Sequence, residues 1–567
     1  MKESASFLKK LFDEKKYLEI INIIDNEIEK DKLNSGLINL SGVCKLLINK
    51  SKNNLEKSIE DFRKSYLREK NTANALEALK NFINTSMDLF DLYFRENQEF
   101  PKEIFKEILN YLEDNKALFE KNEPFAQAII RVFKRRLDTD NVIKYLNYFK
   151  DSDNADILCS LIYNNCFQSR WDQKKIFVAA KNLNTKFPLY DEKEIPKLEN
   201  NNDKRINIGF VSADIRDNHS VTYFLKTVLL NYDKQKFKIF LFLNSNKNDE
   251  TTKNFKDLVD TSIDIYELND IEAITKIRNL KIDIIFDMMG VTSDYRLALF
   301  KNRLAPIQIS WCGFCNTTGI DQMDYLIADK NVIKSNEEDL YSEKIIYLSN
   351  IWNCHVGFKQ EKSEYPPPYK NNNHITFGSF NNFKKINDEV INTWSTILKK
   401  VKNSKLILKG SSKASSSLLL KKFESNNVLS SIKLLPFEKN FKNHLIEYTN
   451  IDLALDTFPY NGVTTSFEAI WMGVPVLTIK GYNFNSRCGE SINKNLKMEN
   501  LIAENKDDYI SKAIFLSDNF DNLVKIRQEI YDNAKFSPLF NTRDFSNNFF
   551  NTLKNLCDKN RINFTKF

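Results

Sequence analysis

From residue 1 to about 200, apolar positions recur at intervals of three and four, the spacing of one face of a helix. Leu18, Ile21 and Ile24 share one such face, and Leu37, Leu40, Val43 and Leu47 share another. Glycines are scarce, and helix pairs are expected to start near Ser4 and Tyr17, near Ser35 and Asn54, and near Thr72. After the polar stretch Asn200-Asn201-Asn202-Asp203-Lys204 the pattern changes to short apolar runs separated by helical segments. Ile206–Val211, Phe237–Leu243, Ile282–Phe286 and Ile307–Trp311 read as buried strands, and such alternation signals a parallel sheet with crossover helices. Pro366, Pro367 and Pro368, between Tyr365 and Asn373, are expected to interrupt regular structure. The alternation then restarts with Ile375–Phe380, Leu406–Leu408, Ile432–Leu435, Leu453–Leu455 and Val476–Ile479. Helices are expected over about Asp388–Val401, Phe441–Tyr448, Thr465–Met472 and Asp508–Leu516. The predicted organisation is an all-α helical-repeat domain over 1–200 and Rossmann-like α/β halves over 204–365 and 371–540. A C-terminal helix or tail over 541–567 completes it.

Composition narrows the function classes. With 42% hydrophobic and 28% charged residues, the 567-residue chain reads as a soluble globular protein. Its net charge of +7 is a small difference between 83 basic and 76 acidic groups. No segment concentrates Lys and Arg, so no nucleic-acid partner is expected. No run approaches ~18 uninterrupted apolar residues, so no membrane span is expected. Met1-Lys2-Glu3-Ser4-Ala5 carries an early acid and no apolar stretch, unlike a secretory signal. Eight scattered cysteines fit reduced thiols, and the expected location is the cytoplasm. Cys312-Gly313-Phe314-Cys315 is a C-x-x-C without a second pair, which reads as packing cysteines; no metal site is expected. Within the helical region, Leu37–Gly42 and Ala73–Ala78 resemble degenerate tetratricopeptide units with a period of about 34–37 residues. Such units either bind peptides or cap an enzyme.

The most informative segment runs from Ile451 to Gly481. A strand ending at Asp456 exits into Thr457-Phe458-Pro459-Tyr460-Asn461-Gly462, where Pro459 and Gly462 break it and Gly462 permits close backbone approach to a ligand. Thr464 and Thr465 read as N-caps of the following helix. Free backbone N–H groups at a helix N-terminus, beyond the carboxyl end of a parallel strand, form an anion site. Glu468, one turn on, is placed to accept hydrogen bonds from ribose hydroxyls. The loop is not a Walker A motif, and no G-x-G-x-x-G follows the first strand of the α/β region.

Leu455–Thr465 and Glu468-Ala469-Ile470-Trp471-Met472-Gly473-Val474-Pro475-Val476 closely resemble the catalytic region of the protein O-GlcNAc transferase family, which includes plant O-fucosyltransferases of the SPINDLY type. Ala305–Trp311, Thr317-Thr318-Gly319, Met323-Asp324-Tyr325, Tyr341-Ser342-Glu343-Lys344 and Gly481 through Arg487 extend the resemblance across about 205–540. It implies a GT-B fold and an inverting, metal-independent transfer. The nucleotide sugar, UDP-GlcNAc first, is implied as a substrate bound mainly by the C-terminal half, with no cofactor. The implied acceptor is a Ser or Thr hydroxyl of a protein or peptide, which the N-terminal repeats would help to bind. By the same resemblance Lys385 contacts the donor diphosphate, with Asn382 beside it, and His444 packs against the donor base. Asp456, Gly462, Thr464, Thr465 and Glu468 complete the donor set. His219, at the cleft, is the candidate general base, and Tyr223, Thr317 and Thr318 stand on the acceptor side.

Three positions depart from the family pattern: Val463 in place of a histidine, Phe441 in place of a lysine, and Val291 in place of His or Tyr. They leave GDP-fucose, UDP-glucose, an Asn acceptor and a catalytically weakened scaffold as alternatives.

Overall fold

The computed structural model describes residues 2–28, 34–96, 98, 100–191, 193–201, 203–358, 367–410, 413–438 and 440–564. They form two compact units, Met1–Lys150 with Ser411–Leu420, and Asp151–Gly410 with Lys421–Phe567. No helix among the described residues is long and apolar enough to cross a membrane.

The first unit is helical. Its helices include Lys2–Asp13, Tyr17–Ile28, Ser35–Ile48, Lys52–Arg68 and Ala73–Arg95. Three of their starts are fixed by side-chain caps: Asn34 accepts from the Leu37 N–H, Ser51 from Asn54 and Thr72 from Ala75. Gly42 lets neighbouring helices approach, since a Cβ there would meet the Phe62 ring at 2.6 Å. Lys45 is held inside by Asp61 at 2.6 Å and Asp25 at 3.3 Å.

The second unit holds two parallel sheets. The first contains β1 (Ile206–Ser212), β2 (Phe237–Leu243), β3 (Thr261–Asp264), β4 (Ile284–Asp287), β5 (Ile307–Ser310), β6 (Tyr325–Ala328) and β7 (Lys344–Tyr347). The second contains β8 (Thr376–Ser379), β9 (Lys405–Lys409), β10 (Ile432–Leu435), β11 (Leu453–Leu455), β12 (Val476–Ile479) and β13 (Ile502–Ala503). Strand orders are β3-β2-β1-β4-β5-β6-β7 and β10-β9-β8-β11-β12-β13. Each order reverses direction once, between β1 and β4 and between β8 and β11, and ligands of open α/β sheets bind at such switch points. This is the GT-B pair of Rossmann-like halves preceded by helices.

The chain divides earlier than position 200. Helices Ala155–Asn165 and Gln173–Asn184 belong to the second unit, where Leu158, Ile162, Ile176 and Leu183 share one buried cluster with Val211, Phe240 and Ile285. The final helix, Thr542–Phe564, also returns to the first sheet. Ser546 donates to the Thr227 carbonyl at 3.1 Å, and the Phe549 ring lies 4.9 Å from Trp311 and 5.6 Å from Phe286. Tyr365 and Pro366 fall outside the described residues. Pro367 and Pro368 lie outside regular structure, as expected, and the correction falls on the residues after them: Tyr369–Asn372 form a one-turn helix that Pro368 precedes, where a missing N–H costs nothing.

Candidate active site

A cavity of about 410 Å³ opens where loops after β1 and β5 meet loops after β8 and β11. Both switch points therefore contribute to one space. Its walls include His219 and Tyr223 from the first half, and Lys385, His444, Thr464 and Glu468 from the second.

The loop after β11 is built from behind. Asp456 is 1% exposed and accepts from the N–H groups of Thr457 at 2.9 Å and Gly462 at 2.7 Å, and from the Thr478 hydroxyl at 2.8 Å. It shapes the loop but does not line the cavity. Burial pushes its carboxyl up to about 6, against the pull of those donors and of Lys385. Gly462 is required by crowding, because a Cβ would lie 2.6 Å from the Thr465 hydroxyl and 2.7 Å from Asn381 Oδ1.

The expected caps are corrected. The helix begins at Thr464 itself, and its N-cap, Val463, makes no side-chain cap bond. Thr464 and Thr465 are thus the first helical residues. Ser466 and Phe467 donate back to the Val463 carbonyl at 3.0 Å. No acceptor among the described residues takes the N–H groups of Val463, Thr464 or Thr465. The Thr464 hydroxyl is buried without a partner among the described residues, and the Thr465 hydroxyl donates to Asn381 at 3.0 Å. Orphaned donors at a helix N-terminus, facing a cavity, suit an anion.

Lys385 ends a short 3₁₀ turn, Phe383–Lys385, that starts at Asn382. Its ammonium donates to the Asn461 carbonyl at 2.7 Å and lies 4.6 Å from the centre of the Tyr460 ring. Burial draws its pKa down, opposed by Asp456. An ammonium has three hydrogens to give, so two remain for the cavity. His444 Nε2 lies 3.0 Å from Glu468 Oε2, and the Tyr448 hydroxyl donates to the same oxygen at 2.8 Å.

On the first-half side, His219 Nε2 lies 3.2 Å from Asp214 Oδ1, and Nδ1 is buried without a partner among the described residues. Burial lowers the pKa of this imidazole, against the pull of Asp214, so the ring is neutral near neutral pH. Tyr223 lines the cavity as expected and packs 5.7 Å from the Phe441 ring. Thr317 and Thr318 do not reach the cavity. Both are fully buried, and their hydroxyls donate to the two oxygens of Glu343 at 2.8 and 2.5 Å. Their place is structural because a buried carboxylate needs those donors.

Sequence reasoning missed Asn381, Tyr460 and Glu438 as wall residues and treated Phe441 as a loss when it is part of the wall. Asn381 adjoins Asn382 in the sequence, in the same loop after β8. The wall residues from the C-x-x-C segment, Cys312 and Cys315, were read as packing only. All eight cysteines are free thiols.

Comparison with known proteins bears on the family and the fold. The model of the family described as glycosyl transferase family 41 matches residues 187–361 and 360–549. The chain is 31% identical over 374 residues to a tomato (Solanum lycopersicum) protein named probable UDP-N-acetylglucosamine--peptide N-acetylglucosaminyltransferase SPINDLY, covering 65% of this chain and 39% of that one. An Arabidopsis thaliana protein of the same name is 31% identical over 365 residues, covering 63% and 40%. The chain thus spans about two fifths of the length of these curated relatives. Among solved structures, a lysine-to-methionine mutant of Thermobaculum terrenum O-GlcNAc transferase superposes with a TM-score of 0.72 at 22% identity, covering 95% of this chain and 98% of that one.

Proposed function

Because this chain belongs to glycosyl transferase family 41, we propose that it transfers a sugar from a nucleoside diphosphate to a hydroxyl of a protein. The simplest donor is UDP-GlcNAc and the simplest acceptor a Ser or Thr side chain. The observation that carries this reading is the convergence, on one cavity, of three unused backbone N–H groups (Val463, Thr464, Thr465) with Lys385. Together they match the charge that grows on a departing diphosphate, so the proposed reaction needs no metal. Glu468 and His444, on the same wall, take the ribose and the base. In an inverting transfer the acceptor oxygen attacks the anomeric carbon opposite the departing phosphate and gives up its proton. His219 is the proposed proton acceptor: an Nε2–H donated to Asp214 leaves the lone pair on Nδ1. The helices of Met1–Lys150 are proposed to contribute to acceptor binding, and the free thiols fit a reducing compartment such as the cytoplasm.

The test is transfer from labelled UDP-GlcNAc to a Ser/Thr peptide library in the presence of EDTA, with UDP-glucose, GDP-fucose and Asn-containing peptides in parallel arms. Labelled Ser/Thr peptide with inverted anomeric configuration is expected. Absence of transfer from every donor would sink the reading and leave the scaffold alternative.

A further inference from the structure

We propose that Lys409, the last residue of β9, is a positioning residue that sets the ring of His444 and, through it, the Glu468 carboxylate for the ribose of a nucleoside diphosphate. This rests on the donor reading above. The Lys409 side chain is 3% exposed and is paired with Glu447. Its ammonium lies 2.8 Å from His444 Nδ1. An ammonium can only donate, so Nδ1 presents its lone pair and the proton of the neutral ring sits on Nε2.

That proton then faces Glu468 Oε2 at 3.0 Å. With the Tyr448 hydroxyl 2.8 Å from the same oxygen, two donors hold Oε2. No donor among the described residues takes Oε1, which remains for a vicinal pair of hydroxyls in the cavity. The opposite tautomer would set the Nε2 lone pair against a carboxylate, a repulsive contact inside a poorly solvated wall. Phe380 and Phe441 flank the ring at 5.9 and 5.7 Å but offer no polar atom to choose its orientation. Lys409 supplies that choice from β9, while His444 lies on the helix Phe441–Ile446, which is why local sequence around His444 does not reveal it.

Two measurements separate this proposal from the donor reading. The first uses no ligand: histidine-selective ¹⁵N spectra of the full chain, with four histidines to resolve and His444 assigned by His444→Phe. The Nε2–H tautomer is expected for His444, retained in Lys409→Arg and lost or averaged in Lys409→Met. An Nδ1–H tautomer in the wild-type protein would overturn the proposal even if Lys409→Met failed to fold. The second is titration with UDP of wild type, Lys409→Met, His444→Phe and the double variant. Lys409→Met should weaken UDP by about tenfold or more, and the same change in the His444→Phe background should add little. An equal loss in both backgrounds marks a role that does not run through His444. Wild-type protein that ignores UDP while showing the expected tautomer would overturn the donor reading alone.

Discussion

Lys385, a cation on the proposed donor wall, is held from two sides, by the Asn461 carbonyl and the Tyr460 ring. Lys385→Met keeps the length of the side chain and removes the charge. A fall of about 10²–10³ in kcat is expected, with folding intact by circular dichroism. His219 supplies a pH test. A base must be deprotonated to act, and burial lowers the pKa of this imidazole below its usual 6.5. The acid limb of kcat/KM should therefore fall below pH 6.5 and vanish in His219→Ala; a limb above 6.5 would exclude His219 as the base. Asp456 behaves oppositely. Its pKa rises from 3.8 to about 6 in the fold, so its contribution to stability is fully present below about pH 4 and is lost as pH rises through 6. Asp456→Asn keeps an acceptor for Thr457 and Gly462, and should gain up to about 3 kcal/mol relative to wild type between pH 4 and pH 7 in urea titrations. At this scale the sequence was readable where one side chain carries a charge into a motif, as for Lys385 and Glu468. It was misleading for Thr317 and Thr318, because a hydroxyl gives no sign of which buried carboxylate will take it.

The donor loop works as an element because its donors are left unspent. Val463 adds no side-chain cap, so the first N–H groups of the helix from Thr464 have no acceptor among the described residues and are open to the proposed donor. Gly462→Ala would drive a methyl group toward Thr465 and Asn381. It should raise the donor KM severalfold and also lower the melting temperature, because Thr465 and Asn381 must shift, and an unchanged KM would show that the loop has slack. Strands such as β1 and β2 were legible because most of their seven positions are apolar and buried. β3 and β13 were not: the first has no buried residue and the second has two residues, too little for a period to show. The helix start was misplaced by one residue for a related reason. Two adjacent threonines satisfy the capping preference equally, and only the backbone of Val463 decides between them.

The two α/β halves are keyed together by the helix Phe484–Asn495. Arg487 makes a two-pronged ion pair with Glu337 at 2.5 and 2.8 Å, Ser491 donates to Asp329 at 2.7 Å, and Asn485 accepts from Asn316 at 3.1 Å. Glu337→Gln leaves a mostly buried guanidinium with a weaker partner, and a loss of about 1–3 kcal/mol in urea unfolding is expected. An unchanged midpoint would show that the pair does not hold the halves. The motif order foretold the two halves, but helices Ala155–Asn165 and Gln173–Asn184 were assigned to the repeats. Their periodicity shows that each has an apolar face, not that the first sheet covers it.

The proposed occupant of the cavity between these halves is a nucleoside diphosphate sugar. The most direct test of that proposal is the melting temperature of the full chain with UDP-GlcNAc, UDP-glucose, GDP-fucose and a dTDP-sugar, each with EDTA. Stabilisation that grows with ligand concentration is predicted for at least one donor, with UDP-GlcNAc first, and Lys385→Met should abolish it. No shift with any of them, or a shift that requires a divalent ion, would contradict the account.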